Sequence, residues 1–175
     1  MKTRQLATDA MLAAMCAVLG YLSVDLGNLK ITFESLPVLV AAFILGPADG
    51  LLVGCIGTLI YQILRYGLTV TTVLWMLPYM LCGLLVGLYA KRKHFSLSKK
   101  EIALAVTAAE LMILVLNTAV MAADSIIYGY YSKAYIFGSF WIRLLICIAK
   151  SVAFSLILPG ILQPVRKFIY RGDQQ

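Results

Sequence analysis

Six long apolar runs restrict the folds available to this chain more than any other feature of its sequence. They lie at about residues 6–23, 36–47, 50–66, 71–90, 101–123 and 138–163. Because a helix crosses the hydrocarbon core of a bilayer with roughly 20 apolar residues, runs of this length predict membrane-spanning helices. The second run is short, with Pro37 at its start and Gly46-Pro47 at its end, and we expect it to be tilted or to span only in part.

The composition supports a membrane protein. Of the 175 residues, 62% are apolar and only 13% are charged, a balance far from that of soluble domains. The first run follows Lys2 and Arg4, as in a secretory signal, but no small-residue cleavage pattern comes after it, so we count it as the first helix. We therefore predict an all-α membrane protein of six transmembrane helices, with residues 1–175 forming a single integral membrane domain.

The basic residues predict how the helices are oriented. Ten of the 15 Lys and Arg residues lie in the amino terminus, the loop at 91–100 and the carboxyl terminus. By the positive-inside rule, six crossings place these segments in the cytoplasm, both termini included. The segments at about 24–35, 65–72 and 124–137 then face the exterior. The prediction is a multi-pass protein of the cell membrane with an extracellular ligand side, in contact with membrane lipid.

Several classes of function have no support in the sequence. The net charge of +7 comes from residues flanking apolar runs, without the interleaved aromatics of a nucleic-acid groove, so we expect no nucleic-acid partner. The four cysteines are scattered singly and His94 is the only histidine, so we expect no metal site. Nucleophile-elbow, zinc-helix and phosphate-loop motifs are absent from the sequence. We expect neither an enzyme nor a bound cofactor.

Ionisable residues inside the apolar runs are the most informative ones, because each costs roughly 2.5–3.5 kcal/mol at membrane depth. Glu110 and Asn117 are seven residues apart in the fifth run, and Arg143 and Lys150 are seven apart in the sixth. A spacing of seven returns to nearly the same helix face. Glu110 and Lys150 fall at a common depth, and we predict that they form a structural ion pair, although contact with a ligand stays open.

Asn117 and Arg143 lie in the outward half of the same two helices. There they either contact a polar solute in a cavity or form hydrogen bonds between the helices, and the sequence does not choose between these roles.

Two strips of small residues predict close helix packing. Ala10, Ala13, Ala14 and Ala17 form alanine pairs four residues apart on the first helix, which suit either a partner helix or packing within the chain. On the third helix, Gly46, Gly50, Gly54 and Gly57 favour close packing within the chain.

Two adjoining motifs, Lys30-Ile-Thr-Phe-Glu-Ser-Leu-Pro37 and Leu45-Gly-Pro-Ala-Asp-Gly50, follow the patterns basic-Ile-Ser/Thr-Phe-x-x-Leu-Pro and Gly-Pro-x-x-Gly. In these two motifs the chain resembles the substrate-binding S component of energy-coupling factor (ECF) vitamin transporters. The folate branch looks closest, because Asn117-Thr118, Arg143-Leu-Leu, Lys150 and Pro159 are similar to its last two helices.

This resemblance implies a subunit that binds a folate-like vitamin from outside and docks, through its first helix, onto a membrane coupling subunit driven by two ATPase subunits. Ala10, Ala13, Ala14 and Ala17 are then the partner-binding residues. Riboflavin, pantothenate or another precursor are alternative substrates. A membrane assembly protein that binds only protein partners is an alternative function, and a small membrane enzyme is a further one.

We predict nine substrate-binding residues for such a subunit. Lys30, Arg65 and Arg143 suit a carboxylate, and aromatic side chains suit a flat ring. An interfacial aromatic belt is the alternative role for the aromatic ones. The full set is Lys30, Phe33, Arg65, Tyr66, Trp75, Asn117, Tyr131, Trp141 and Arg143.

Overall fold

The computed structural model describes residues 3–25 and 30–170, and it is helical almost throughout. Two short strands, β1 (Val24–Asp25) and β2 (Lys30–Ile31), pair antiparallel in the first connection. The helices are α1 (Thr3–Tyr21), α2 (Ser35–Ile44), α3 (Pro47–Tyr66), α4 (Thr72–Arg92), α5 (Lys99–Ile127), α6 (Lys133–Phe137) and α7 (Phe140–Tyr170). Each of the six apolar runs therefore forms one helix, and the pair β1–β2 and the short helix α6 are elements that the apolar pattern does not predict.

Four stretches are long and apolar enough to cross a membrane. They are Pro47–Tyr66, Thr72–Arg92, Lys99–Ile127 and Lys133–Arg166. Helix α2, with 10 residues, is apolar but too short for a full span, as its proline and glycine boundaries predict. The structure thus supports an integral membrane protein with four candidate spans among the described residues, and six crossings stay a prediction.

The helices run between two ends of one bundle. We call the end with residues 22–25, 30–34, 67–71 and 128–139 the pocket end, and the end with residues 45–46 and 93–98 the basic end. At the basic end, the Phe95 ring lies beside Gly46, and Arg166 donates a hydrogen bond to the Phe95 carbonyl. This contact brings the start of α3, the α4–α5 connection and the end of α7 together.

Helix α2 is the centre of the core. Val38, Leu39, Ala41 and Ala42 are fully buried, and α2 packs against α1, α3, α4 and α7. A helix that is apolar on every side is suited to lie within other helices or in lipid, and here other helices surround it. This explains why a short apolar segment remains helical without spanning on its own.

Helices α3 and α4 meet backbone to backbone. A methyl group at Gly83 would overlap the Gly50 carbonyl, and one at Gly54 would lie 2.6 Å from the Tyr79 carbonyl oxygen. In lipid, where apolar side chains gain little by leaving the solvent, such close approach through small residues drives helix association. The internal packing that the glycine strip predicts is therefore present.

Candidate binding site

A cavity of about 590 Å³, which we call the main chamber, opens at the pocket end between α3, α4, α5 and α7. Its size falls within the range of about 300–1,000 Å³ that is typical of small-molecule sites. Aromatic side chains dominate the lining, as expected for a site that binds a flat ring. These are Tyr61, Tyr66, Trp75, Tyr79, Tyr128, Tyr130 and Tyr135.

A smaller cavity of about 90 Å³, which we call the annex, adjoins the main chamber between α5 and α7. Thr32, Tyr79, Asn117 and Arg143 line both cavities. The annex also reaches Glu110, Lys150 and several apolar residues of α5 and α7. The two cavities therefore share part of their lining, and the annex lies nearer the middle of the bundle.

The ion pair predicted from helix spacing lies at the inner wall of the annex. Lys150 Nζ is 2.9 Å from Glu110 Oε2, and the exposed fractions of the two side chains are 12% and 2%. The Ser35 hydroxyl donates to Glu110 Oε1 at 2.6 Å, and Lys150 Nζ is 3.4 Å from the same hydroxyl oxygen. The Lys150 ammonium also lies 5.6 Å from the Phe154 ring centroid. These contacts join α5 and α7 to the start of α2.

Arg143 lies where the two cavities meet. Its Nε donates to the Ser139 hydroxyl at 3.1 Å, and its Nη2 donates to the Ile136 carbonyl at 2.9 Å. These bonds hold the guanidinium against the carboxyl end of α6. Arg143 therefore links the short helix at the pocket end to the cavity wall.

Asn117 faces Arg143 across the site from α5. Its Oδ1 is buried and accepts no hydrogen bond from any residue that the structure describes. A buried acceptor without a donor costs roughly 1–3 kcal/mol. A bound molecule that donates a hydrogen bond to Asn117 Oδ1 would remove this cost. Among the described residues, Asn117 Oδ1 therefore does not form the interhelical hydrogen bond that the sequence offers as the alternative to ligand contact.

Asp124 connects three elements around the main chamber. Trp75 Nε1 on α4 donates to its Oδ1 at 3.4 Å, and the Tyr130 hydroxyl, in the α5–α6 connection, donates to its Oδ2. Tyr130 in turn packs edge-on against Tyr135 of α6, with ring centroids 5.5 Å apart. Burial and the hydrogen bond to Asp124 raise the pKa of the Tyr130 phenol, so it remains a neutral donor. Asp124 lies seven residues beyond Asn117, but this spacing alone assigns it no role.

A second carboxylate lies in the wall of the main chamber. Glu34 is 3% exposed, and its Oε1 accepts a hydrogen bond from the Thr32 hydroxyl at 3.2 Å. The Thr32 hydroxyl also lies 3.4 Å from the Tyr79 hydroxyl. Sequence reasoning did not select Glu34, although an acidic residue just before an apolar helix was a usable signal.

Four of the nine predicted substrate-binding residues line the main chamber: Tyr66, Trp75, Asn117 and Arg143. Phe33 packs instead against the Phe154 ring, with centroids 6.2 Å apart.

Three further predicted binding residues, Arg65, Tyr131 and Trp141, do not line either cavity. Arg65 Nη1 donates to the Tyr21 carbonyl at 3.1 Å, which ties the end of α3 to the end of α1. Tyr131 and Trp141 are 48% and 72% exposed, as in the aromatic belt considered as their alternative role. The Lys30 side chain lies outside the described residues.

The alanine strip of α1 is buried only in part. Ala13 and Ala17 are buried, and the Ala13 carbonyl lies against Gly57 of α3. Ala10 and Ala14, on the neighbouring part of the same strip, are exposed. Packing within the chain therefore accounts for the first pair, and the second pair forms a smooth exposed surface.

Comparison with known protein families gives a result that agrees with the helical fold and the cavity. A family described as the substrate-specific component of ECF transporters matches residues 4–163, which is nearly the whole chain. No curated protein matches the sequence.

Proposed function

The chain belongs to the family of substrate-specific components of ECF transporters, and on that premise we propose that it binds a vitamin at high affinity in the main chamber. Members of this family are transporter subunits rather than enzymes, and they act with membrane and ATPase subunits that supply the energy. The proposal concerns what this member binds, where it binds it and how it meets its partners.

The observation that carries the proposal is the main chamber itself. Aromatic side chains surround it, and a few polar groups converge on it, which is the usual construction of a small-molecule site. Asn117 supplies an acceptor without a donor, and Arg143 supplies a cation at the junction with the annex. A membrane protein that served only to assemble other proteins has no need of such a chamber.

Folate is the substrate that we favour. A pteridine ring suits the tyrosine and tryptophan side chains of the chamber, and its N–H groups suit the acceptors Asn117 and Glu34. The carboxylates of folate suit Arg143. Riboflavin and pantothenate are the alternatives, since a flat ring or a carboxylate alone would satisfy part of the same lining.

The proposed orientation places the pocket end outside the cell and both termini in the cytoplasm, with six crossings. It rests on the basic residues at the basic end, which the positive-inside rule assigns to the cytoplasm. In this arrangement the main chamber opens toward the source of the vitamin.

A binding experiment tests the proposed function. The chain is purified in detergent, any copurifying small molecule is identified by mass spectrometry, and affinities are measured for folic acid, riboflavin and pantothenate. We expect at least one to bind with a Kd well below about 1 µM, which corresponds to about 8 kcal/mol. Affinities weaker than this for every vitamin would contradict the proposal and favour an assembly protein.

Docking through α1 has its own test. The double variant Ala10→Leu and Ala14→Leu roughens the exposed strip, so we expect uptake in cells to be lost while vitamin binding in detergent stays unchanged. Ala108→Leu, at an exposed alanine of α5, is the matched control and should leave both unchanged. Equal loss of uptake in both variants would contradict a specific docking role for the α1 strip.

A further inference from the structure

Building on the proposed function, we infer that the annex is an anion subsite, in which Lys150 and Arg143 together hold a carboxylate of the substrate. Lys150 is then a binding residue as well as a partner of Glu110. The inference concerns the same site as the proposed function and narrows its substrate class to vitamins that carry a carboxylate.

The two cavities differ in the sign of their charges. The annex has one carboxylate, Glu110, and two cations, Arg143 and Lys150. The main chamber has two carboxylates, Glu34 and Asp124, and among the described residues its one cation is Arg143, which also lines the annex. Inside a protein such charges are weakly screened, so an anionic group of a bound molecule is favoured toward the annex and disfavoured in the main chamber.

Both cations have donors that their protein contacts do not use. Among the described residues, Lys150 pairs with Glu110, makes a long contact with the Ser35 oxygen and lies near the Phe154 ring, and an ammonium with three N–H groups still has one to donate to an acceptor. The protein bonds of Arg143 use Nε and Nη2, and they leave Nη1 on the guanidinium. A carboxylate between the two would accept charge-assisted hydrogen bonds from each.

The size and position of the annex suit this group. A cavity needs roughly 10–15 Å³ to hold a single water. The annex, at about 90 Å³, is therefore large enough for a carboxylate with accompanying water. Asn117 lines both cavities, and its unpartnered Oδ1 lies between the carboxylate subsite and the main chamber. A ligand that extended from the main chamber into the annex would pass Asn117 and donate a hydrogen bond to its Oδ1. A purely structural ion pair between Glu110 and Lys150 would leave this oxygen without a donor.

Variants of the ion pair separate binding from structure. Replacing only Lys150 leaves the Glu110 carboxylate buried without its cation, which lowers stability in either case. The double variant Glu110→Met and Lys150→Met removes both charges and keeps an apolar wall, so it is expected to fold. Its thermal unfolding midpoint in detergent checks this. Lys133→Met, at an exposed lysine of α6, is the control for general loss of positive charge.

The probes differ only in the carboxylate. Folic acid is compared with its diamide, and pantothenate with pantothenol, and riboflavin is included as a vitamin without a carboxylate. We expect wild type and Lys133→Met to prefer the acid over its neutral analogue by about 30-fold or more. In the folded double variant only Arg143 remains to bind the carboxylate, so we expect this preference to fall by about 10-fold.

Each other outcome points to one hypothesis. A double variant that folds and keeps the wild-type preference would overturn the anion subsite, and so would a wild type that binds only riboflavin, although in both cases the proposed function would stand. A wild type that binds no vitamin would overturn the proposed function itself.

Discussion

The two halves of this bundle use similar apolar sequences for different purposes. In the glycine-packed half, α1–α4, helices approach until backbone meets backbone, as at Gly50 and Gly83. In the polar half, α5–α7, the helices are held by side chains, chiefly the pair Glu110 and Lys150. Close packing leaves no room for a solute, whereas contact through long side chains leaves a cavity beside them. The candidate site lies where the two halves face each other.

This difference has a consequence for stability. In the glycine-packed half, an added methyl group must displace backbone, which in a packed interior is costly. In the polar half, the exposed α7 tolerates changes at its surface, but the buried charges tolerate the loss of neither partner. The stability of the glycine-packed half should therefore depend mainly on the volume of a substituted side chain, and that of the polar half on its charge.

The largest expected effect is that of Gly83→Leu. The new side chain would overlap the Gly50 carbonyl, so α3 and α4 must separate, and we expect no stably folded protein in detergent. Size-exclusion chromatography and thermal unfolding measure this.

Gly160→Ala in α7 is the matched control in the polar half. No atom lies within 4 Å of the added methyl group, and alanine favours a helix over glycine by about 0.5–1 kcal/mol, so stability should rise slightly. If Gly83→Leu folded as well as Gly160→Ala, the contrast between the halves would be wrong.

The next effect in size is that of Arg143→Met on binding. Among the described residues, the change removes the one cation that lines both cavities, together with its hydrogen bonds to Ser139 and to the Ile136 carbonyl of α6. We expect vitamin affinity to fall by about 30-fold or more, equivalent to about 2 kcal/mol. Titration calorimetry in detergent gives the affinity. Arg143→Lys should recover only part of it, because an ammonium lacks the fork geometry of a guanidinium. Full recovery by Lys would show that charge alone matters.

A smaller effect is expected for Asp124→Asn. The amide keeps one acceptor oxygen for Trp75 or Tyr130 but loses the charge and the second acceptor. We expect about a 10-fold weaker affinity, or about 1.4 kcal/mol, with little change in the unfolding midpoint. The quenching of Trp75 fluorescence by ligand provides the measurement, with Asp25→Asn in the first connection as a comparison. An unchanged affinity would place the Asp124 cluster outside the binding function.

Sequence reasoning succeeded where a feature repeats along a helix. Spacing of seven places polar residues on one face of α5 and on one face of α7, because the geometry of a helix is regular. The common depth of Glu110 and Lys150 on those faces predicts their pair, and glycines about four residues apart predict the internal packing of the Gly50 strip. The length and boundaries of the short second helix also follow, because Pro37 and Gly46-Pro47 limit it.

The connections were less predictable, because their conformation depends on distant partners. The fifth run was expected to end near residue 123, yet α5 continues to Ile127, where Asp124 is held by Trp75 and Tyr130. Arg65 looked free to meet a carboxylate, but it donates to the Tyr21 carbonyl. Nothing in the local pattern shows such contacts, and for the same reason α6 was not expected.

The smallest expected effect lies at the basic end, far from the cavity. Ser98 begins α5 with a capping box, in which its hydroxyl accepts from the Glu101 N–H and the Glu101 carboxylate accepts from the Ser98 N–H. Ser98→Ala removes the first of these bonds, so we expect a loss of about 1 kcal/mol in stability and no change in vitamin affinity.

Ser96→Ala in the same connection is the control, since the Ser96 side chain is exposed. If Ser98→Ala weakened vitamin binding as strongly as Asp124→Asn, the polar half would behave as one cooperative unit from the basic end to the pocket end. The side-chain contacts between α5 and α7 would then transmit strain as readily as the backbone contacts between α3 and α4. Unchanged affinity with reduced stability would instead show that the cavity depends on its own charged residues rather than on the whole length of α5.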